Sequence, residues 1–345
     1  MNSGPAISFR EAFEALERNK RLDQARIQRV FQSILAGEWT PTQVAGLLVA
    51  LRLAGEDSAV IAAAARALRG AMVRVDHDFE TLLDTCGTGG DGHGTLNLST
   101  GAAIIAASVG VPVAKHGNRA VSSKSGSADV LQALGISLEV PVERAADVLR
   151  SVNIAFLLAP QHHPAMRHAA VARKELGIRS IFNCLGPLAN PAGATHQLLG
   201  AYDDRLRAVL AETLLALGSK RAWVVHSEDG LDELSPFGAT RVTELSDGKL
   251  SERVVTPEDF GLKRSAPGAI AGGEASENAK ILEHVLSGAS HPSRDAFVLN
   301  AAAALVVSQR LEPKHAAQQA AEALDSGKAR QKLEEWRATA TEAAS

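Results

Sequence analysis

Residues 82–117 read LLDTCGTGGDGHGTLNLSTGAAIIAASVGVPVAKHG, and their order decides the fold. A short apolar strand runs into a glycine-rich loop, an apolar helix is expected over 97–110, and a second strand around 111–115. Strand, loop, helix and strand in that order are the grammar of an α/β domain with a mostly parallel central sheet surrounded by helices. The same alternation continues downstream. VNIAFLLAP (152–160) and RAWVVHS (221–227) read as buried strands, helices are expected over 143–151 and 164–176, and the run from Asn278 to Arg337 is again helical. Gly-Pro punctuation in LGPLANPAG (185–193) predicts a rigid turn within the domain.

Upstream of this unit the grammar is helical only. Ser8 and Glu11 have capping-box spacing, and Thr40, Pro41 and Gln43 repeat that signal with proline at the first helical position. QVAGLLVALRL and VIAAAARALRGAM are apolar on more than one side, and such helices must be covered by another domain or subunit. The expected division is therefore a helical dimerisation domain over 1–75 and an α/β domain over 76–345.

Composition narrows the function classes. The 345 residues carry a formal net charge of −3 with no long basic run, which argues against a sequence-independent hold on nucleic acid. The longest apolar stretch, residues 101–114, is too short to span a bilayer, so no membrane partner is expected. Two cysteines far apart, Cys86 and Cys184, suit a reducing compartment. With no secretory signal in the opening residues, the expected location is the cytoplasm.

GTGGDG at 87–92 matches the dinucleotide fingerprint in letters only. That fingerprint needs a helix opening directly on the loop and an acidic residue about 20 positions on. Here the loop runs on through HGTLN, and the next strand ends in Lys115-His116, a cation suited to phosphate. Bare amides followed by Asn97, Ser99 and Thr100 at a helix start make an anion site, or alternatively a glycine-rich turn with a hydroxyl cap. KHGNRAVSSKSGSADVLQALG (115–135) then sets Lys115, Arg119 and Lys124 among small residues. Two such loops at neighbouring strand ends point to a ligand with more than one phosphate. Far downstream HSEDGLDELS (226–235) carries Asp229, Asp232 and Glu233 after a strand. Adjacent acids there are commonly a solvated loop, but beside polyphosphate loops they suit magnesium, a hard cation that prefers oxygen.

Taken together, DTCGTGGDG, TLNLSTGAA, KHGNRAVSSKSGSADVLQALG, HPAM, ARKELGIRSIFNCLGPLANP, DGLDELS, GGEASENAK and LNAAAAL resemble the anthranilate phosphoribosyltransferases, in family order and over nearly the whole chain. The resemblance implies an enzyme of tryptophan synthesis. It would transfer a 5-phosphoribosyl group from phosphoribosyl diphosphate (PRPP) to the amine of anthranilate. It also implies a homodimer formed through the small helical domain, and magnesium, expected as two ions per site. PRPP would meet Gly87, Gly90, Asp91, Thr95, Asn97, Leu98, Ser99, Thr100, Lys115, His116, Gly117, Asn118, Arg119, Ala120, Val121, Ser122, Ser123 and Ser127. Anthranilate would meet Gly87, Asn118, His163 and Arg173, with His116 and Pro187 along its path. Ser99, Asp232 and Glu233 would hold the metal, and Lys115 and His116 are the candidate catalytic groups. Arg167 stands where some relatives carry tyrosine. Same-fold alternatives are a pyrimidine-nucleoside phosphorylase, disfavoured by the Asp232–Glu233 pair and Arg173, and a non-catalytic nucleic-acid-binding homologue, disfavoured by the charge.

Overall fold

A computed structural model describes residues 6–19, 21–120 and 124–345. Four helices come first: α1 (Phe9–Asn19), α2 (Gln24–Leu35), α3 (Pro41–Ala54) and α4 (Ser58–Ala71). There follow β1 (Leu83–Gly87), α5 (Leu98–Ser108), β2 (Val113–Gly117), α6 (Ser127–Ala133), α7 (Ala145–Val152), β3 (Ile154–Leu158), α8 (Ala159–His162), α9 (Arg167–Leu176) and α10 (Phe182–Leu188). The chain continues through β4 (His196–Gly200), α11 (Asp204–Ala216), β5 (Arg221–Ser227), β6 (Thr240–Ser246) and β7 (Lys249–Val255). It ends with α12 (Ala275–Leu286), α13 (Arg294–Gln309), α14 (Pro313–Asp325) and α15 (Lys328–Ala344).

Both expected helix starts are built as capping boxes. Ser8 and Glu11 exchange backbone-to-side-chain bonds of 2.9 and 3.2 Å, and Thr40 and Gln43 do the same at 2.9 and 3.3 Å. The cover required by α4 comes from within the chain. Ile61, Ala64 and Leu68 share a core with Phe31 of α2, Phe182 and Leu185 of α10, and Leu210 and Leu214 of α11. On α3 the case differs: Leu47, Leu48 and Leu51 are buried, while Val49 and Leu53 are 37% and 83% exposed.

The seven-stranded sheet has the order β3-β2-β1-β4-β5-β6-β7. The first five strands in that order are parallel, while β6 runs antiparallel to β5 and β7 antiparallel to β6. The β6–β7 hairpin is absent from the alternation read in the sequence. Its signal is Asp247-Gly248, both at positive φ (52° and 72°), as a two-residue primed turn requires. LGPLANPAG was expected as a rigid turn, yet its first part is the C-terminal half of α10, with Pro187 inside the helix. Burial of Phe182, Leu185 and Leu188 outweighs the bond that proline cannot donate in so short a helix.

One irregularity of the sheet shapes everything above it. β1 pairs with β4 at five positions and β2 with β3 at five, but β1 pairs with β2 only at Leu83↔Val113. Beyond that pair the two strands part, and the carboxyl end of β1 lies between this gap and the reversal of strand order, which falls between β1 and β4. In open α/β sheets this is where ligands bind, outside the carboxyl ends of the strands.

Candidate active site

The opening between β1 and β2 is held apart by side chains that stand in for the missing ladder. Asp84 Oδ1 accepts the N–H of His116 at 3.1 Å, and Asn190 Nδ2 donates to both Asp84 Oδ2 and the Ala114 carbonyl at 2.8 Å. Lys115 Nζ donates to the Thr85 carbonyl and, at 3.3 Å, to Ser99 Oγ. These bonds satisfy strand groups that burial would otherwise leave unpaired. They also place a buried ammonium at the floor of a cleft of about 280 Å³.

The cleft wall brings together Gly87, Gly90, Asp91, Thr95, Asn97, Ser99, Lys115, His116, Gly117, Asn118, Ser127, Asp232 and Glu233, all expected from the sequence. Lys124, Ser125 and Gly126 join them. Leu98 lies in the core, Thr100 is buried with its hydroxyl unpaired, Arg119 turns to Asp129 and Gln132, and the Ala120 N–H is held by Asp129. None of these four is on the wall. Val121, Ser122 and Ser123 lie outside the described residues. Asp229 serves its own turn, accepting from the Ser227 and Ser235 hydroxyls.

Asp232 and Glu233 enter the floor from the loop after β5. The Asp232 carbonyl passes so close to Gly200 that a Cβ there would sit 1.7 Å from it, so the approach requires glycine. Gly89 N–H donates to Asp232 Oδ2 at 3.2 Å, and Ser99 N–H at the start of α5 donates to Glu233 Oε1 at 3.0 Å. These single bonds do not offset the rest of the environment. Burial and the neighbouring Asp91 push the Asp232 carboxyl up, while burial and Asp232 push Glu233 up to about 8. Crowded carboxylates of this kind ionise together only beside a cation. With the Ser99 hydroxyl they form an all-oxygen donor set that fits Mg²⁺, which takes one or two carboxylates and completes its shell with water and phosphate. Among the described residues no three His, Cys, Asp or Glu groups form a ready-made metal cage.

Of the residues expected to meet anthranilate, Gly87 and Asn118 lie on this wall with His116, while His163 and Arg173 do not. His116 and His163 lie ring to ring, 5.0 Å apart. Burial lowers His116 to about 3 and His163 to about 4, so both rings are neutral at pH 7. His116 Nδ1 faces the Gly186 carbonyl at 3.0 Å and so carries the proton, which leaves Nε2 as a buried acceptor with no partner. A ring this weakly basic is a poor general base and a good hydrogen-bond acceptor, which narrows the catalytic role expected of His116. Arg173, on α9, is not on the cleft wall. Its guanidinium rests 5.3 Å from the Phe182 ring centroid, and burial alone lowers its pKa. Cys86 beside the loop has its thiol pushed well up by burial, so it is inert packing and not a nucleophile.

Several supporting carboxamides escaped the sequence reading. Asn300 of α13 clasps the Leu234 N–H and carbonyl (3.0 and 3.1 Å), fixing the Asp232–Glu233 loop. Asn278 of α12 donates to Asn97 Oδ1 at 3.0 Å and accepts from Gly273 N–H at 2.8 Å. The available signal was a lone carboxamide in an apolar or alanine-rich helix, as in LNAAAAL.

Two family models match the chain: a glycosyl transferase family helical bundle domain over residues 10–72, and a glycosyl transferase family a/b domain over residues 80–330. An anthranilate phosphoribosyltransferase of Myxococcus xanthus is 48% identical, covering 95% of this chain and 97% of the relative. The crystal structure of anthranilate phosphoribosyltransferase from Thermus thermophilus superposes with a TM-score of 0.88 at 44% identity, over 93% of this chain and 96% of that one. The enzyme of that name from Saccharomyces cerevisiae, in complex with PRPP and Mg, matches with a TM-score of 0.86 at 31% identity, over 93% and 94%. The chain belongs to the anthranilate phosphoribosyltransferase family and is an enzyme that moves a 5-phosphoribosyl group from PRPP to anthranilate in tryptophan synthesis.

Proposed function

We propose that the cleft divides this transfer between a diphosphate side and an amine side, with the anomeric carbon between them. The observation that carries the division is convergence. Lys115 Nζ, the Ser99 amide and hydroxyl, and the Asp232–Glu233 pair meet at one floor, while His116 turns its free Nε2 away from its bond to Gly186.

On the diphosphate side the glycine loop, Asn97, Ser99 and the start of α5 receive phosphate oxygens, and Lys115 neutralises leaving-group charge. Burial lowers the Lys115 pKa, while the neighbouring Asp84, Cys86 and Glu233 oppose that shift. Ser99, Asp232 and Glu233 would hold Mg²⁺, and we assign two ions because two carboxylates and a diphosphate offer more oxygen donors than one octahedral shell needs. Bound there, Mg²⁺ supplies charge neutralisation worth several kcal/mol at the leaving group.

On the amine side Arg173 offers its planar fork to the anthranilate carboxylate. Asn118 and His116 Nε2 accept from the amine, and His163 and Pro187 wall the path. The aniline nitrogen is neutral at pH 7, so its lone pair attacks without a strong base. The anomeric carbon passes through an oxocarbenium-like state as in other glycosyl transfers. Holding amine and carbon in line contributes up to about 7–11 kcal/mol when the geometry is good.

The exposed apolar side chains Phe13 of α1 and Val49 and Leu53 of α3 support a homodimer through the helical domain of residues 1–75. No helix among the described residues is long and apolar enough to cross a membrane. Cys86 and Cys184 are both free thiols, as a reducing compartment keeps them, which supports a cytoplasmic site of action. The test is loss of anthranilate fluorescence on adding PRPP and Mg²⁺, with thymidine plus phosphate as control. Turnover of the control alone would sink the reading.

A further inference from the structure

Arg179 lies between α9 and α10, exposed, and outside the cleft wall. Its guanidinium Nη2 donates to the Gly90 carbonyl, and its Cζ stacks 3.8 Å from the centroid of the Tyr202 ring. A cation flat against an aromatic face is held in place by the ring's quadrupole. Tyr202 is in turn tied to the glycine loop, its N–H donating to Thr88 Oγ1 at 2.9 Å, and Thr88 N–H donates to the Gly200 carbonyl at 2.8 Å.

The loop needs such a strap. Gly89, Gly90 and Gly92 all take positive φ (65°, 80° and 82°), which only glycine adopts freely, and glycine loses the most freedom on being ordered. A loop of this composition cannot hold its amides toward a phosphate by its own side chains. Across a trans peptide the carbonyl and the following N–H point in opposite directions. With the Gly90 carbonyl bound to Arg179 outside the cleft, the Asp91 N–H is turned to the other side, where Gly90 and Asp91 form the wall. A Cβ at Gly90 would lie 3.1 Å from Nη2, so the same glycine also makes room for the guanidinium.

We infer that Arg179 is a positioning residue for PRPP: stacked on Tyr202, it pins the Gly90 carbonyl outward and presets the glycine loop for the diphosphate. The inference rests on the loop being the PRPP side of the cleft. Preordering a flexible loop lowers the entropy lost on binding, and so acts on the affinity for the ligand of that loop alone.

The test compares the full-length enzyme with Arg179→Ala, Arg179→Lys and Tyr202→Leu. Arg179→Ala is expected to raise the KM for PRPP about tenfold, the loss typical of one charge-assisted hydrogen bond. Both kcat and the KM for anthranilate should stay within about twofold of wild type. Arg179→Lys should restore part of the affinity, and Tyr202→Leu should give a smaller rise that does not add to Arg179→Ala. Amides 88–92 should exchange hydrogen faster in Arg179→Ala without ligand, a readout independent of turnover. An unchanged KM for PRPP, an equal rise in both KM values, or wild-type exchange of those amides would overturn the strap. Wild-type binding of PRPP, followed by calorimetry without anthranilate, checks the assignment of the loop separately.

Discussion

Asp84 Oδ1 accepts the N–H of His116 at 3.1 Å across the opening between β1 and β2, where a carbonyl of the neighbouring strand would otherwise sit. Asn190, itself 3% exposed, grips the other oxygen of that carboxylate. Burial pushes Asp84 up to about 6, and the Asn190 bond is the largest influence opposing that rise. The opening above the sheet is thus held by a buried carboxylate and a carboxamide.

Asn190→Ala would strip partners from Asp84 Oδ2, the Ala114 carbonyl and the Ala192 N–H at once. Each buried polar group left unsatisfied costs about 1–3 kcal/mol, and water admitted to the gap recovers part, so the expected loss of unfolding free energy is about 3 kcal/mol. A urea titration measures it. A loss well under about 1 kcal/mol would show that the strut is dispensable.

Arg173→Ala should separate the two substrates. The KM for anthranilate should rise roughly tenfold to a hundredfold, as for loss of about 1.5–3 kcal/mol at a charge-assisted pair. Binding of PRPP should change little. Because burial alone shifts Arg173, with no ionic partner opposing it, the thermal midpoint should also hold. Equal weakening of both substrates would make Arg173 structural.

The double change Asp232→Asn with Glu233→Gln should shift Mg²⁺ dependence to much higher concentration and lower turnover. Its effect on ligand-free stability has a definite sign. A carboxyl raised to about 8 in the folded state stays protonated there while the unfolded chain ionises near its ordinary value of 4.5. Folding therefore holds extra protons between those values, and stability falls as pH rises through that window. Wild type should lose thermal stability from pH 5 to pH 8 more steeply than the double variant, which should be the more stable of the two at pH 8. Wild-type Mg²⁺ dependence in that variant would remove the metal assignment, and parallel melting profiles would show that the two carboxyls are not raised by crowding.

Leu53→Glu tests the dimer cleanly. Leu48 is fully buried in a core that the N-terminal helices share with α9, α10 and α11, so a charge there would confound folding with assembly, whereas Leu53 is 83% exposed. Light scattering at micromolar concentration should give a dimer for wild type and a monomer for Leu53→Glu, with the melting of the monomer still cooperative. A monomeric wild type would end the proposal.

Much of this was written in one dimension. Apolar periodicity and capping signals placed the helices, and the spacing of glycines, Lys115 and the Asp232–Glu233 pair picked out residues that line one cleft, because those properties belong to a residue and its near neighbours. RAWVVHS emerged as a strand at the expected residues, 221–227. What the chain alone did not determine depends on which segments meet. Pro187 sits in a helix because Phe182 and Leu188 find a core to enter. The apolar faces of α4 are covered by α10 and α11 from far along the chain, while α3 keeps Val49 and Leu53 outside. Asn190, Asn300 and Arg179 gain their meaning only when Asp84, Leu234 and Gly90 arrive beside them. The physical reason is that a hydrogen bond or a desolvated charge is a relation between groups in space. Sequence names the groups, but burial and distance set its strength.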